Sequence, residues 1–168
     1  MGTIGIIGAM EVEVKELKEQ MQITRQLTKA GMEFCEGILE GQDVVVVRSG
    51  VGKVNAAVCT QILIDVFDVK AVINTGIAGS LKAEINIGDL VISSDLVHHD
   101  MDAVSFGYPK GQIPQMDVFS FEADKALADL AEKVCEEVIR KSGISRKSCQ
   151  RRSVYFRQGG KGKNQCQF

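Results

Sequence analysis

The segment Ile4-Gly-Ile-Ile-Gly-Ala-Met-Glu11 joins an apolar run to a glycine and then to the start of a charged stretch. An unbroken apolar run over Ile4–Ile7 is typical of a strand buried on both faces. Beyond it, Val14, Leu17 and Met21 recur at helical spacing with charged residues between them, which predicts a helix. The segment therefore predicts a strand, a glycine turn and a helix, the repeating unit of α/β folds.

The same alternation continues to about residue 139. Residues 98–119 contain glycine and proline breaks without a period, which indicates a functional loop. Ser120 is the predicted N-cap of the last helix. Further strands are predicted at Phe34–Leu39, Val44–Val47, Ala71–Asn74 and Leu90–Ser93. The two further helices are expected to bury Val54, Val58 and Ile62, and then Leu127, Leu130, Ala131, Val134 and Val138.

Three predicted strands end in glycine-bearing turns. These turns are Gly8–Glu11, Ser49–Gly52 and Thr75–Gly79. Ligands of α/β sheets bind at the carboxyl ends of strands. Together the three turns predict a floor for a small molecule, although glycine turns alone also occur for purely structural reasons.

The composition is that of an ordinary globular protein. Of the 168 residues, 45% are hydrophobic and 25% are charged, which excludes a disordered chain, a collagen-like fibre and a disulfide miniprotein. No apolar run has the length of a transmembrane helix, and the N-terminus lacks the basic region of a signal peptide. We therefore expect a cytoplasmic protein that does not bind membranes.

The cysteines are odd in number and form no Cys-x-x-Cys pair. With His98 and His99 as the only histidines, the sequence offers no structural zinc set, and no metal is expected. We expect reduced and mostly buried thiols. The five are Cys35, Cys59, Cys135, Cys149 and Cys166.

Charge changes abruptly near residue 140. All 22 acidic residues and 11 of the 20 basic residues lie in 1–139, whereas the other nine basic residues lie in 140–168 without any acid. A basic tail ordinarily suggests contact with nucleic acid or with an anionic membrane surface.

The sequence does not match the common nucleotide-binding and hydrolase motifs. Gly50-x-Gly52-x-x-Asn55 lacks the third glycine of a dinucleotide fingerprint, and Gly52-Lys53 is followed by Val54 rather than by Ser or Thr. Neither a Gly-x-Ser-x-Gly elbow nor a His-Glu-x-x-His motif occurs. Chemistry on NAD or on nucleoside triphosphates is therefore not expected.

Five motifs occur in one order along the chain. They are Gly5-Ile-Ile-Gly-Ala-Met-Glu-Val-Glu13, Ser49-Gly-Val-Gly-Lys-Val-Asn-Ala-Ala57, Asn74-Thr-Gly-Ile-Ala-Gly79, Gly88-Asp-Leu-Val-Ile-Ser93, and His99-Asp-Met-Asp102 followed by Phe106-Gly-Tyr108 and Gly111-Gln-Ile-Pro114. Together they resemble the bacterial 5′-methylthioadenosine/S-adenosylhomocysteine nucleosidases of the purine-nucleoside phosphorylase superfamily.

The resemblance implies an α/β fold with a central mixed sheet flanked by helices, incomplete at the C-terminus. It implies a nucleosidase-like domain over residues 1–142 and a basic tail outside the family over 143–168. The implied activity is release of adenine from thioether nucleosides by water, in a homodimer, without a cofactor and without nucleic acid.

Cleavage of an N-glycosidic bond passes through an oxocarbenium-like sugar, so it needs an activated water and a protonated leaving base. By resemblance, Glu13 is the carboxylate that positions and deprotonates the water. The alternative is a solvated first-turn residue favoured by the helix dipole. Met10 resembles the residue that lies against the ribose and the alkylthio group, where a polarizable sulfur is suitable, although core filling is an equal alternative.

Four further residues match substrate-binding positions of the family. Ala78 and Gly79 match a loop whose backbone approaches the nucleoside, where a bulky side chain would block the approach. Phe106 and Pro114 resemble the loop that caps the alkylthio pocket of the neighbouring subunit, and local packing is their alternative role. Ile77 replaces a hydroxyl residue of some family members, so a hydrogen bond from that side chain is absent.

Two further carboxylates of the family are missing, one that holds the ribose hydroxyls and one that protonates adenine. No Asp or Glu follows Glu137. The family strand Ser-Gly-Asp-x-Phe-Ile is also absent, but one reverse translation of Cys149–Arg157, shifted by one nucleotide, encodes Ala-Ser-Gly-Asp-Gln-Phe-Ile-Ser. We therefore expect that the tail is a frameshift product and that this chain is catalytically impaired.

Other functions stay open. Glu11 and Glu13 would disfavour a phosphate near the first turn, which favours a hydrolase over a phosphorylase. A related purine nucleosidase or phosphorylase is one alternative. A non-catalytic fragment whose basic tail contacts nucleic acid is another.

Overall fold

A computed structural model of the chain describes residues 2–80, 83–142 and 149–156. The chain divides into two compact units, Met1–Ile77 and Ala78–Phe168. Each unit contains one sheet of described strands. Within the described residues, no helix has the length and hydropathy needed to cross a membrane.

The first unit is built on a mixed five-stranded sheet with the order β2-β3-β4-β1-β5. β1 pairs in parallel with β4 and β5, whereas β2, β3 and β4 form an antiparallel meander. The strands are β1 (Ile4–Gly8), β2 (Gln22–Lys29), β3 (Met32–Leu39), β4 (Gln42–Arg48) and β5 (Ala71–Asn74). The helices are α1 (Glu11–Gln20) and α2 (Lys53–Phe67).

The central strands are buried on both faces, as their unbroken apolar runs predict. Alternate residues of β4 belong to different clusters, with Val44 and Val46 grouped with Val14 of α1, and Val45 grouped with Leu63 of α2. All five are less than 4% exposed. The sheet therefore separates two apolar layers, each covered by one helix.

The buried face of α2 differs in part from the predicted one. Ile62 is buried as predicted, whereas Val54 and Val58 are 70% and 39% exposed. The rest of the stripe that faces the sheet is formed by Cys59, Leu63 and Phe67. The helix carries apolar residues on most of its circumference, so periodicity alone does not select a face.

The second unit contains the sheet β7-β6-β8, in which β6 pairs antiparallel with β7 and parallel with β8. A 3-10 turn, Val104–Phe106, lies within the predicted functional loop. The strands are β6 (Leu90–His98), β7 (Phe121–Glu122) and β8 (Cys149–Phe156), and the helix is α3 (Lys125–Ser142).

The start of α3 was predicted four residues too early. Asp124, not Ser120, caps the helix, because its Oδ1 accepts the Leu127 N–H at 2.9 Å. The backbone at Phe121–Glu122 instead pairs with β6. The predicted apolar stripe is also largely exposed, with Leu130, Val134 and Val138 at 54%, 48% and 55%.

β8 lies inside the basic tail, where residues 145–168 show neither a helical nor a strand period. Its backbone pairs with β6 from Leu90–Cys149 to His98–Phe156. Main-chain pairing needs no side-chain alternation, so a strand can form without a sequence signal. The rest of the predicted tail, 143–148 and 157–168, lies outside the described residues.

Candidate functional site

Three strand ends of the first unit meet at one edge of the sheet. Because β4, β1 and β5 are parallel neighbours, their carboxyl ends point the same way. The Ser49 N–H donates to the Gly8 carbonyl at 2.9 Å, and the Thr75 N–H donates to the Ile7 carbonyl at 2.9 Å. The structure thus brings together the three glycine-bearing turns, which is the position where α/β sheets bind ligands.

Side chains support the middle turn. Ser49 is 4% exposed, and its hydroxyl donates to the Gly50 carbonyl at 2.9 Å. The Asn55 amide donates to the Val51 carbonyl at 2.8 Å. These two polar side chains, one at the end of β4 and one in the first turn of α2, stabilise the turn through its carbonyl groups.

Glu13 lies in the first turn of α1, directly after the end of β1. Its Oε2 accepts the Met10 N–H at 2.8 Å, and its Oε1 accepts the Ile77 N–H at 3.0 Å. An ionised carboxylate has about four acceptor positions, so two remain after these bonds. The half-buried group is therefore fixed by backbone donors and still able to accept a hydrogen bond from a water molecule.

Met10 lies beside this carboxylate as the N-cap residue of α1. Its side chain is 36% exposed, so it is not a core filler of the first unit. Met10 and Glu13 are the two predicted site residues that the structure brings into contact, through the Met10 N–H.

The negative charge near the first turn is smaller than the sequence alone indicated, because Glu11 is paired. The Lys18 ammonium lies 3.0 Å from Glu11, and the Arg48 guanidinium lies 3.7 Å from the same carboxylate. Glu11 is therefore neutralised in part. The repulsion that would disfavour a phosphate comes mainly from Glu13 rather than from both carboxylates.

The other predicted residues belong to the second unit. Ala78 and Gly79 are exposed and follow Ile77 directly in the chain. Phe106 is 82% exposed in the 3-10 turn, and Pro114 is half-buried farther along the loop.

The loop over 98–119 is organised by its own backbone. The Phe106 N–H donates to the Ala103 carbonyl at 2.9 Å, and the Gly111 N–H donates to the Met101 carbonyl at 2.8 Å. A large exposed aromatic on an ordered loop is available for contact with a ligand or a partner.

Sequence reasoning missed two features of the site. The Ile77 N–H holds Glu13, and Gly76 provides the space beside it. Backbone donors have no residue signature, so the only available signal was the glycine that follows β5.

The three cysteines whose side chains the structure describes are free thiols. Cys35 and Cys59 are free and buried, as predicted, and Cys135 is free and half-buried. Burial raises the pKa of the Cys59 thiol to about 11. Within the part of the chain that the structure describes, no three His, Cys, Asp or Glu side chains are grouped to hold a metal ion.

A family profile described as "Phosphorylase superfamily" matches residues 3–152. The chain belongs to the phosphorylase superfamily. The match extends ten residues beyond 142, the predicted end of the family-like domain. It confirms the resemblance drawn from the five motifs.

Curated relatives in this superfamily are named 5′-methylthioadenosine/S-adenosylhomocysteine nucleosidases. The protein of Pseudoalteromonas translucida is 49% identical over 135 residues, which are 80% of this chain and 57% of the relative. The protein of Staphylococcus haemolyticus is 45% identical over 144 residues, which are 86% of this chain and 61% of the relative. The chain thus spans a little more than half the length of the curated relatives that it matches.

Solved structures of the superfamily confirm the fold. The nucleosidase of Colwellia psychrerythraea, crystallised with adenine, has a TM-score of 0.81 and 40% identity, covering 94% of this chain and 62% of that chain. The Neisseria meningitidis nucleosidase, in complex with methylthio-immucillin-A, has a TM-score of 0.80 and 36% identity, covering 94% and 66%. The nucleoside phosphorylase-like fold follows from both.

Proposed function

We propose that this chain carries a nucleosidase site that hydrolyses the N-glycosidic bond of 5′-methylthioadenosine and S-adenosylhomocysteine and releases adenine. The observation that carries the proposal is the Glu13 carboxylate, fixed through both oxygens at the shared edge of β1 and β5. The names of the relatives supply the substrate class. Such a reaction serves methionine salvage and removes by-products of S-adenosylmethionine.

In the proposed reaction, Glu13 accepts a hydrogen bond from water and takes its proton as the water oxygen attacks the anomeric carbon. The bond between that carbon and adenine breaks, and both electrons go to adenine. A fixed carboxylate is suited to this because a positioned base contributes about 10²–10⁴ in rate. Met10, which is 36% exposed, would provide a polarizable sulfur for the ribose and the alkylthio group.

The remaining substrate contacts are assigned to the second unit. We place the backbone of Ala78 and Gly79 against the nucleoside, and Phe106 and Pro114 in the alkylthio pocket of a neighbouring subunit. The exposure of Phe106 supports a role in contact between subunits. A cytoplasmic homodimer that uses no cofactor is the assembly we propose.

Catalysis by this chain is expected to be weak. Adenine must gain a proton as it leaves, and no carboxylate follows Glu137 to supply one. We therefore expect weak binding of adenine thioether nucleosides, if any, and slow turnover.

Adenine release from 5′-methylthioadenosine by the 168-residue chain tests the proposal. We expect slow release that is independent of added phosphate and that falls to the buffer rate in Glu13→Gln. The Staphylococcus haemolyticus relative, assayed beside it, should be far faster. Release that requires phosphate would indicate a phosphorylase, and release at the relative's rate would contradict the expected impairment.

A further inference from the structure

The space that the Glu13 carboxylate occupies exists because residue 76 has no side chain. A Cβ placed on Gly76 would lie 2.5 Å from Oε1, 2.9 Å from Cδ and 3.2 Å from Oε2 of Glu13. Real Cβ atoms essentially never approach a neighbour to less than 3.0 Å. An alanine at this position and the carboxylate cannot both keep their places.

The backbone at Gly76 does not itself require glycine. Its φ is not positive, unlike that of Gly50 or Gly52 in the neighbouring turn. The three atoms nearest to a Cβ at Gly76 all belong to Glu13. The need for glycine at this position therefore comes from the carboxylate and not from the turn.

We propose that Gly76 is a positioning residue for Glu13. By leaving this space open it lets Oε1 reach the Ile77 N–H while Oε2 stays on the Met10 N–H. The catalytic meaning of this inference rests on the proposed function of Glu13, whereas its geometric part rests on the contacts alone.

Gly76 and Gly8 should respond differently to substitution, although both lie beside Glu13. A Cβ on Gly8 would lie 2.6 Å from Cγ1 of Val14, which is fully buried and cannot move away. The three atoms nearest to a Cβ on Gly76 are instead the far end of a flexible side chain. Gly8→Ala should therefore lower stability, whereas Gly76→Ala should move the carboxylate and leave the fold intact.

Amide exchange in the ¹⁵N-labelled 168-residue chain measures the position of the carboxylate directly. In Gly76→Ala the Ile77 N–H loses a charged acceptor, so its exchange should become at least about tenfold faster. Glu13→Ala should do the same, and adding Gly76→Ala to it should change nothing further. Gly31→Ala is the control for backbone strain without a steric contact. Its φ of 73° strains an alanine, but a Cβ there has no atom within 4 Å. Because Gly31 is far from Glu13 in sequence, this variant should leave the exchange of the Ile77 N–H unchanged relative to its loss of stability.

The urea midpoint provides the second readout. Gly76→Ala should leave it nearly unchanged, because the reduced freedom of the unfolded chain offsets much of the loss of the hydrogen bond between Ile77 and Glu13. Unchanged Ile77 exchange in Gly76→Ala, or a fall in midpoint as large as that of Gly8→Ala, would overturn the proposal.

Turnover separates this inference from the proposed function. In Gly76→Ala we expect kcat for adenine release about 10²-fold lower, with little change in KM, because the base is misplaced. A freed Ile77 N–H with unchanged kcat would overturn the catalytic part. If the unaltered chain releases no adenine, the proposed function fails, and the amide exchange still decides whether Gly76 positions Glu13.

Discussion

Single residues of the core show how strongly burial changes side-chain chemistry. The Cys59 thiol is fully buried on the sheet-facing side of α2, and burial raises its pKa from 9.0 to about 11. Burial also raises the pKa of Cys35, against the opposing hydrogen bond from Gln26. Thiols that stay protonated are poor nucleophiles, so neither residue takes part in chemistry near neutral pH.

The raised pKa of Cys59 predicts a loss of stability in alkali. An unfolded thiol ionises above pH 9, whereas the folded one stays protonated to about pH 11. Its contribution is therefore complete below pH 9 and is lost as the pH rises through 11. Between pH 8 and pH 10.5 the free energy of unfolding should fall by about 2 kcal/mol more in the native chain than in Cys59→Ala. Urea unfolding of both at the two pH values checks this, and equal losses would contradict it.

Residue types predicted only part of the site. Glu13 was predicted from the family resemblance, and its place in the first turn after a buried strand and Gly8-Ala-Met favoured a site residue over a solvated helix residue. Gly76 and the Ile77 N–H were not, because their roles depend on a contact 64 residues away in the chain. Such a contact is set by the pairing of β1 with β5, which local sequence does not encode.

Strands that are buried on both faces could be predicted from the sequence. β1 and β4 were recognised from unbroken apolar runs, whereas β2 was missed because seven of its eight residues are exposed. An edge strand with two solvated faces has no hydrophobic period to detect. The predictions of the buried face of α2 and of the first residue of α3 were wrong for a related reason. In each case the apolar or capping residues occur at more than one position that fits the pattern.

The two candidate caps of α3 provide a matched pair of variants. Asp124→Ala removes the oxygen that accepts the Leu127 N–H and should lower the free energy of unfolding by about 1 kcal/mol. Ser120→Ala, at the position that the sequence favoured, should have almost no effect. Urea unfolding followed by helical circular dichroism checks both, and a larger loss in Ser120→Ala would show that the helix begins earlier.

At the scale of the molecule, the basic tail is the unusual part. The superfamily match ends at residue 152, and β8 spans Cys149–Phe156. In the one-nucleotide-shifted reverse translation described above, Ser-Gly-Asp-x-Phe-Ile falls on residues 150–155, within this strand. We propose that residues 143–168 are translated one nucleotide out of the frame used for 1–142.

The coding DNA decides this proposal. Sequencing from the codon of Ile139 to about 300 bases past the stop should reveal a frame, displaced by one base, that encodes Ser-Gly-Asp-x-Phe-Ile. A Met-Glu pair and a late Asp should follow in the same frame. A gene in which no single-base shift restores these residues would contradict the proposal, and the tail would then be a genuine basic segment.

The donors that hold Glu13 belong to the main chain, so the identity of the side chain at a donor position is separate from the hydrogen bond that the position supplies. Residues 10 and 77 each contribute only an N–H to the carboxylate, so a change of either side chain leaves the donors that hold Glu13 in place. Proline is the exception at both positions, because it has no N–H to donate.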